Sequence, residues 1–170
     1  VHYLLGPGAE PTTPPLPSDL TKLYKAKSKN PEGSIPAFTA RGQIRIVNAE
    51  PSARWPIVYP LRLVMKKEYV DRRQLLEVAK ALLEQRIREA GGATVSEGGD
   101  KTITLTVTDF GMIAIFETFI NFTLETGDGY VRGLQAHGKQ WNYRTSIDEA
   151  VADIPAQVLN DPNVLKYLER

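Results

Sequence analysis

The sequence predicts an α+β fold, an antiparallel sheet of about five strands with two helices on one face. Three observations carry that reading. Thr102–Thr108 (TITLTVT) alternates apolar and polar residues without a fault, the period of a half-buried strand. Between Asp71 and Ala90 the apolar residues recur instead at three- and four-residue steps, the period of an amphipathic helix. The elements follow in the order strand, strand, helix, three strands, helix. The links among the last three strands are too short to cross over to parallel neighbours.

Composition agrees with a globular domain. The chain has 170 residues, 42% hydrophobic and 24% charged, enough to bury a core of its own. Its longest unbroken apolar stretch, Met112–Phe116, falls far short of the ~20 residues that a membrane-spanning helix needs. Twenty-one Lys and Arg against 20 Asp and Glu leave a net charge of +1, so no large field draws the chain to nucleic acid or anionic lipid. The absence of cysteine removes disulfides, iron–sulfur clusters, thiolate zinc sites and cysteine nucleophiles.

Ten of the 12 prolines fall in the first 60 residues, five of them within Pro7–Pro17. Proline fixes φ and offers no N–H, so this stretch favours extended chain over packed elements. Lys25–Pro36 (KAKSKNPEGSIP) is similarly loose. Residues 1–40 are therefore read as a Pro-rich flexible leader or tether and 41–170 as a single α+β domain. The chain opens on Val1 rather than Met. The expectation is a trimmed product, with two origins open: removal of an upstream signal segment that carried a site for a lipid anchor, or trimming for another reason.

Gln43–Val47 (QIRIV) places Ile44 and Ile46 on one face and Arg45 on the other, and Leu61–Val64 is the second strand candidate. Asp71 opens the first helix, with Gln74 completing a capping-box pattern. Its stripe is Leu75, Leu76, Ala79, Leu82, Leu83, Ile87 and Ala90, expected to pack on the three-strand meander, and Gly91–Gly92 ends it. After Thr102–Thr108 come Ile113–Leu124 and Tyr130–His137, joined by the turn Thr126–Gly129 (TGDG). Ser146–Glu149 (SIDE) reads as the capping box of the last long helix, which Pro155 should kink. Asp161-Pro162 restarts a short turn or helix.

No phosphate loop, dinucleotide fingerprint or nucleophile elbow is present, and no catalytic or cofactor-binding residue can be named. No metal is expected either, because neither a second histidine nor a carboxylate stands at ligand spacing from His137. Glu117 and Asp109 are the acids within the sheet region, Glu117 on a face that begins apolar. Exposed faces that carry threonine rather than stacking aromatics argue against nucleic-acid binding. Four aromatics, Trp55, Tyr59, Trp141 and Tyr143, lie in loop or Pro-rich segments beside strand ends. They form the candidate interaction patch, since loop aromatics serve at contact surfaces; plugging the sheet's ends is their other use.

From Arg72 onward the sequence resembles small bacterial cell-envelope lipoproteins of the accessory or assembly type. The echoes are Leu82–Val95 (LLEQRIREAGGATV), the alternating Thr102–Thr108, and a C-terminal Ala/Val-bearing helix closed by Leu159-Asn-Asp-Pro162 and Tyr167-Leu168. The resemblance implies a non-catalytic envelope protein, tethered at its N-terminus in the periplasm or at the outer membrane. It would bind other envelope proteins, or lipid, without a cofactor, and meet the membrane only through an upstream anchor. The competing expectation is a ligand-binding or enzymatic α+β domain. Its apolar pocket would lie between sheet and helix, lined by Phe116, Phe119 and Phe122.

Overall fold

The structure is a computed structural model of the chain and describes residues 35–51, 54–57, 68–113, 117–141 and 143–170. Its elements are β1 (Gly42–Asn48), β2 (Arg54–Ile57), β3 (Glu68–Asp71), α1 (Arg72–Ala90), β4 (Ala93–Val95), β5 (Lys101–Ile113), β6 (Glu117–Thr126), β7 (Val131–Lys139), α2 (Tyr143–Leu159) and α3 (Pro162–Glu169). The fold class is α+β, as expected. The predicted strand Leu61–Val64 and most of the leader lie outside the described residues.

The main sheet has five strands in the order β4-β1-β5-β6-β7, and β2 pairs with β3 in a separate antiparallel ribbon. The meander β5-β6-β7 is antiparallel, as predicted. The rest is not: β1 runs parallel to both β4 and β5, so the sheet is mixed. The cause is a three-residue strand, β4, too short for its period to show. Ile44 stands level with Val95 on one side and Lys101 on the other, so residues 96–100 must pass across β1. Gly99 makes that crossing possible. A Cβ there would sit 2.6 Å from the Ile44 carbonyl carbon and 2.8 Å from the Arg45 nitrogen, closer than side chains tolerate.

The first helix forms as its sequence dictates. The Asp71 carboxylate accepts hydrogen bonds from Arg73 N (2.9 Å) and Gln74 N (3.3 Å), satisfying two amides of the first turn. Gly91 closes the far end at φ 74. Leu76, Ala79, Leu82, Leu83 and Ile87 are all buried. They pack chiefly on β1 and β4 and meet the meander at β5, because α2 occupies the β6-β7 half. Both long helices thus share one face, and Ile44, Ile46, Ile103, Leu105, Ile120, Phe122 and Leu124 fill the layer between. Each such side chain, fully buried, contributes about 1.5–3 kcal/mol.

Three boundaries moved. β5 continues past a bulge at Thr108 to Ile113, so Ile113 ends one strand instead of opening the next. Helix α2 begins at Tyr143 and runs on through Pro155. Ser146 and Glu149 are therefore interior, not a capping box: the Ser146 hydroxyl lies 2.7 Å from that of Thr118, and Glu149 accepts from Lys139 N at 3.2 Å. At the other end of the domain Ala40 is fully buried, and Ile35 and Phe38 pack on the core. Arg41 N donates to the Leu168 carbonyl at 2.9 Å, and the Lys101 ammonium donates to the carbonyls of Arg41 (2.8 Å) and Leu168 (3.2 Å). One lysine thereby ties the start of β1, the start of β5 and the last turn of α3.

Candidate functional site

Strands β1 and β5 run toward the end of the sheet from which β6 starts and at which β7 finishes. β1 stops at Asn48, level with Leu105 and well short of Ile113, and the β2-β3 ribbon is inserted between it and α1; there Asn48 donates to the Arg73 carbonyl and to Glu77. Trp55, in β2, thus follows a strand that ends level with Arg132, whereas Trp141 lies just beyond Lys139 at the far end of β7, so the register of the sheet does not bring the two together. Tyr143 is the first residue of α2, at the same corner as Trp141. Tyr59 lies outside the described residues.

Trp141 is 89% exposed, which sets it apart from a residue sealing the core. Its position is held from the backbone side. The buried Glu149 carboxylate takes the Lys139 N–H and the Gln140 side-chain amide, so the chain is fixed up to the residue before Trp141. The indole then stands clear of the fold on an anchored stem.

The sheet's other face, away from α1 and α2, carries a group that sequence spacing concealed. His137 Nε2 lies 2.7 Å from Glu117 Oε1, and the imidazole stacks on Phe119 with ring centroids 4.7 Å apart. Beside them Gln135 donates to Asn121 at 2.9 Å. The β6-β7 register, Glu117 opposite Lys139 and Phe119 opposite His137, makes neighbours of residues 20 apart in sequence. Only hairpin pairing outward from the Thr126–Gly129 turn could have found them. A carboxylate that orients an imidazole is an arrangement suited to proton transfer, but here it stands half-exposed on a sheet face. Among the described residues no group of three His, Cys, Asp or Glu side chains could hold a metal ion. Asp109, the other acid singled out, bonds locally to Phe110 N at 2.9 Å.

The predicted apolar pocket is not built as expected. Phe122 is fully buried against the helices, whereas Phe119 points to the opposite face of β6, so the two cannot line one cavity. Phe116 lies outside the described residues. Alternation along a strand dictates this separation, since residues an odd number apart face opposite ways.

The inner face carries a further polar cluster around Asp161. This buried carboxylate caps α3 through Asn163 N (2.8 Å) and Val164 N (3.4 Å), and accepts from Tyr130 Oη (2.8 Å) and Arg132 (3.0 Å). Burial pushes its pKa up, but the bonds from Tyr130, the two amides and Arg132 outweigh that and hold it below the ordinary aspartate range. Every oxygen is occupied by the fold, which makes the cluster structural.

No protein-family model matches the chain, and no curated protein matches it. Among solved structures, a Xanthomonas campestris protein of family DUF330 superposes with a TM-score of 0.47 at 12% identity, over 76% of this chain and 84% of that one. At that distance the likeness assigns neither a family nor a function. Among the described residues no helix is long and apolar enough to cross a membrane.

Proposed function

We propose that this chain is a non-catalytic accessory or assembly protein of the bacterial cell envelope that works by binding other envelope proteins through the end of the sheet bearing Trp141. One observation carries the reading: a tryptophan 89% exposed on a fixed stem beside α2. Leaving an indole in water forgoes roughly 1.5–3 kcal/mol or more of burial, and indoles on rigid stems are favoured contact anchors. The Pro-rich leader supports the envelope setting, since such a tether suits a domain held off a membrane by an upstream anchor. In this reading neither cofactor nor nucleic acid takes part, and lipid is the second class of ligand.

The test separates binding from packing. Trp141→Ala with Tyr143→Ala should leave the unfolding midpoint nearly unchanged while abolishing co-purification of envelope proteins with the full chain. A fall in midpoint comparable to that of a core Leu→Ala substitution, with co-purification intact, would return these residues to the fold and remove the proposed surface.

A further inference from the structure

Among the described residues β7 is an edge strand, and its edge is covered over only part of its length. Thr126 N–H donates to the Tyr130 carbonyl at 2.9 Å across the β6-β7 turn, and successive residues of a strand present their backbone groups to alternate sides. The even-numbered residues of β7 therefore bond β6, while Val131, Gly133, Gln135, His137 and Lys139 turn their N–H and C=O groups to the edge. Helix α2 caps two of these amides. Asp153 takes His137 N–H at 2.9 Å and Glu149 takes Lys139 N–H at 3.2 Å. Among the described residues nothing takes the amides of Val131, Gly133 and Gln135. The stretch has neither proline nor lysine, Arg132 is its one charge and turns to Asp161, among the described residues no element covers it, and Val131 is 60% exposed.

We propose that residues 131–135 are where a second copy of the chain joins the sheet, β7 against β7, antiparallel about a two-fold axis at Gly133. The covered and open residues select that register. Only odd-numbered residues of β7 offer groups to the edge, so odd must oppose odd, and the axis falls either on an odd residue, at a hydrogen-bonded pair, or on an even one, at a non-hydrogen-bonded pair. Centring on Arg132 would set it against the partner's Arg132 and carry Gln135 to the partner's Gly129, and centring on Leu134 would set Val131 against the partner's His137, whose amide Asp153 already holds. Centring on Gln135 would set Val131 against the partner's Lys139 and Gly133 against the partner's His137, whose amides the α2 acids already hold. Centring on Val131 would carry Gly133 and Gln135 into the partner's turn at Gly129 and Gly127. Centring on Gly133 pairs Val131 with the partner's Gln135, and uses open residues alone on both sides. The acids of α2 then face the partner's turn, where its strand has ended.

Side chains accept this arrangement. On the inner face Arg132 stands opposite the partner's Leu134, so no like charges meet directly, and Arg132 keeps its bond to Asp161. At the axis two glycines meet, with nothing within 4 Å of the space a Cβ of Gly133 would occupy. The contact is one short strand pair, so the dimer should be weak and concentration-dependent.

Gly133→Pro tests the interface selectively, because position 133 donates to the edge and not to β6, a place where sheets tolerate proline. In sedimentation the full chain of 18.9 kDa should rise toward twice that mass as concentration increases, and the Gly133→Pro chain should stay at 18.9 kDa with a similar unfolding midpoint. Gly133→Cys supplies the second arm, which holds even if the proline variant fails to fold. The chain has no other cysteine, and opposed residues of a hydrogen-bonded antiparallel pair stand about 5.5 Å apart at Cα, within disulfide reach. Mild oxidation should link the Gly133→Cys chains far faster than chains carrying Thr94→Cys on the opposite edge. A wild-type mass fixed at 18.9 kDa, a dimer unaffected by Gly133→Pro, or equal linking at both positions overturns the proposal. So does amide-exchange protection of Val131, Gly133 and Gln135 in dilute monomer, which would give the edge to this chain's own leader.

Discussion

Asp153 of α2 accepts a 2.9 Å hydrogen bond from the backbone N–H of His137, closing one position of the β7 edge with a buried acid. Glu149, one helical turn earlier, does the same for Lys139. A helix that packs on a sheet face seldom satisfies the edge as well; here an acid pair spaced four residues apart lets α2 do both. Asp153→Ala leaves the His137 amide without its acceptor and should cost about 1–3 kcal/mol, whereas Asp153→Asn keeps an oxygen in place and should cost less. Urea unfolding reads the difference. Amide exchange at His137 should quicken in the alanine variant before the rest of β7 responds. Equal losses in the two variants would mean that the carboxylate acts through packing or charge alone.

The same strand supplies a contrast between two glycines. A Cβ on Gly138 would overlap the Ser146 carbonyl and stand 2.6 Å from Ala150 N, whereas one on Gly133 would meet nothing within 4 Å. Gly138→Ala must therefore push α2 off β7, at a cost of about 1–3 kcal/mol or more. Gly133→Ala should lie within about 0.5 kcal/mol of wild type, or gain slightly from a less flexible unfolded chain. Thermal unfolding of the two variants side by side settles whether α2 approaches the strand this closely.

How much of this was legible in sequence depends on whether the signal was local. Helix α1 could be read whole, because its cap at Asp71, its period and its glycine stop all lie within its own residues. The burial of Ile103, Leu105 and Val107 followed from alternation alone. The parallel pairing of β1 did not, since it depends on β4, three residues long, and on a crossing that Gly99 permits without announcing it. Ser146 and Glu149 misled for a related reason: their spacing fits a capping box, yet their partners, Thr118 and Lys139, come from the sheet. At the candidate site, Trp141 is marked in sequence by its place beside a strand end, while the Glu117–His137 pair exists only through the register of β6 on β7. Nothing in the hydrophobic pattern encodes a cross-strand pair on a solvent-facing side.

Lys101 offers a test of how the two ends of the described domain are joined. Its ammonium donates to the carbonyls of Arg41 and Leu168, the second of which also accepts from Arg41 N. A cation at the C-terminal end of α3 is favoured by the helix dipole as well. Lys101→Met keeps the apolar stem and deletes the donors, so it should cost about 0.5–1.5 kcal/mol, with water replacing part of what is lost. Exchange at the Arg41 amide, which bonds α3 across this junction, should rise more than exchange at Ile46 within β1.

Asp161 predicts the acid side of the stability profile. Burial alone would raise its pKa, but Tyr130, Asn163 N, Arg132 and Val164 N bond the charged form and leave the folded-state value below the ordinary one. A carboxyl whose pKa is lower folded than unfolded binds fewer protons in the native state, so its stabilising contribution is complete above the unfolded pKa. That contribution is lost as pH falls through the folded value. The window therefore opens below about pH 4, the range of an unperturbed aspartate, and not near neutrality. Asp161→Asn retains a cap for Asn163 N but cannot titrate, so its stability should vary less with pH through that window than that of the wild type. Asp161→Ala should lose in addition about 1–2 kcal/mol at neutral pH through the missing cap. Unfolding curves collected from neutrality to below pH 3 for the three chains would show the wild type falling toward the Asn variant as acid is added. If wild type and Asp161→Asn instead fell in parallel, the charge on Asp161 would have no share in holding α3 to Tyr130 and Arg132.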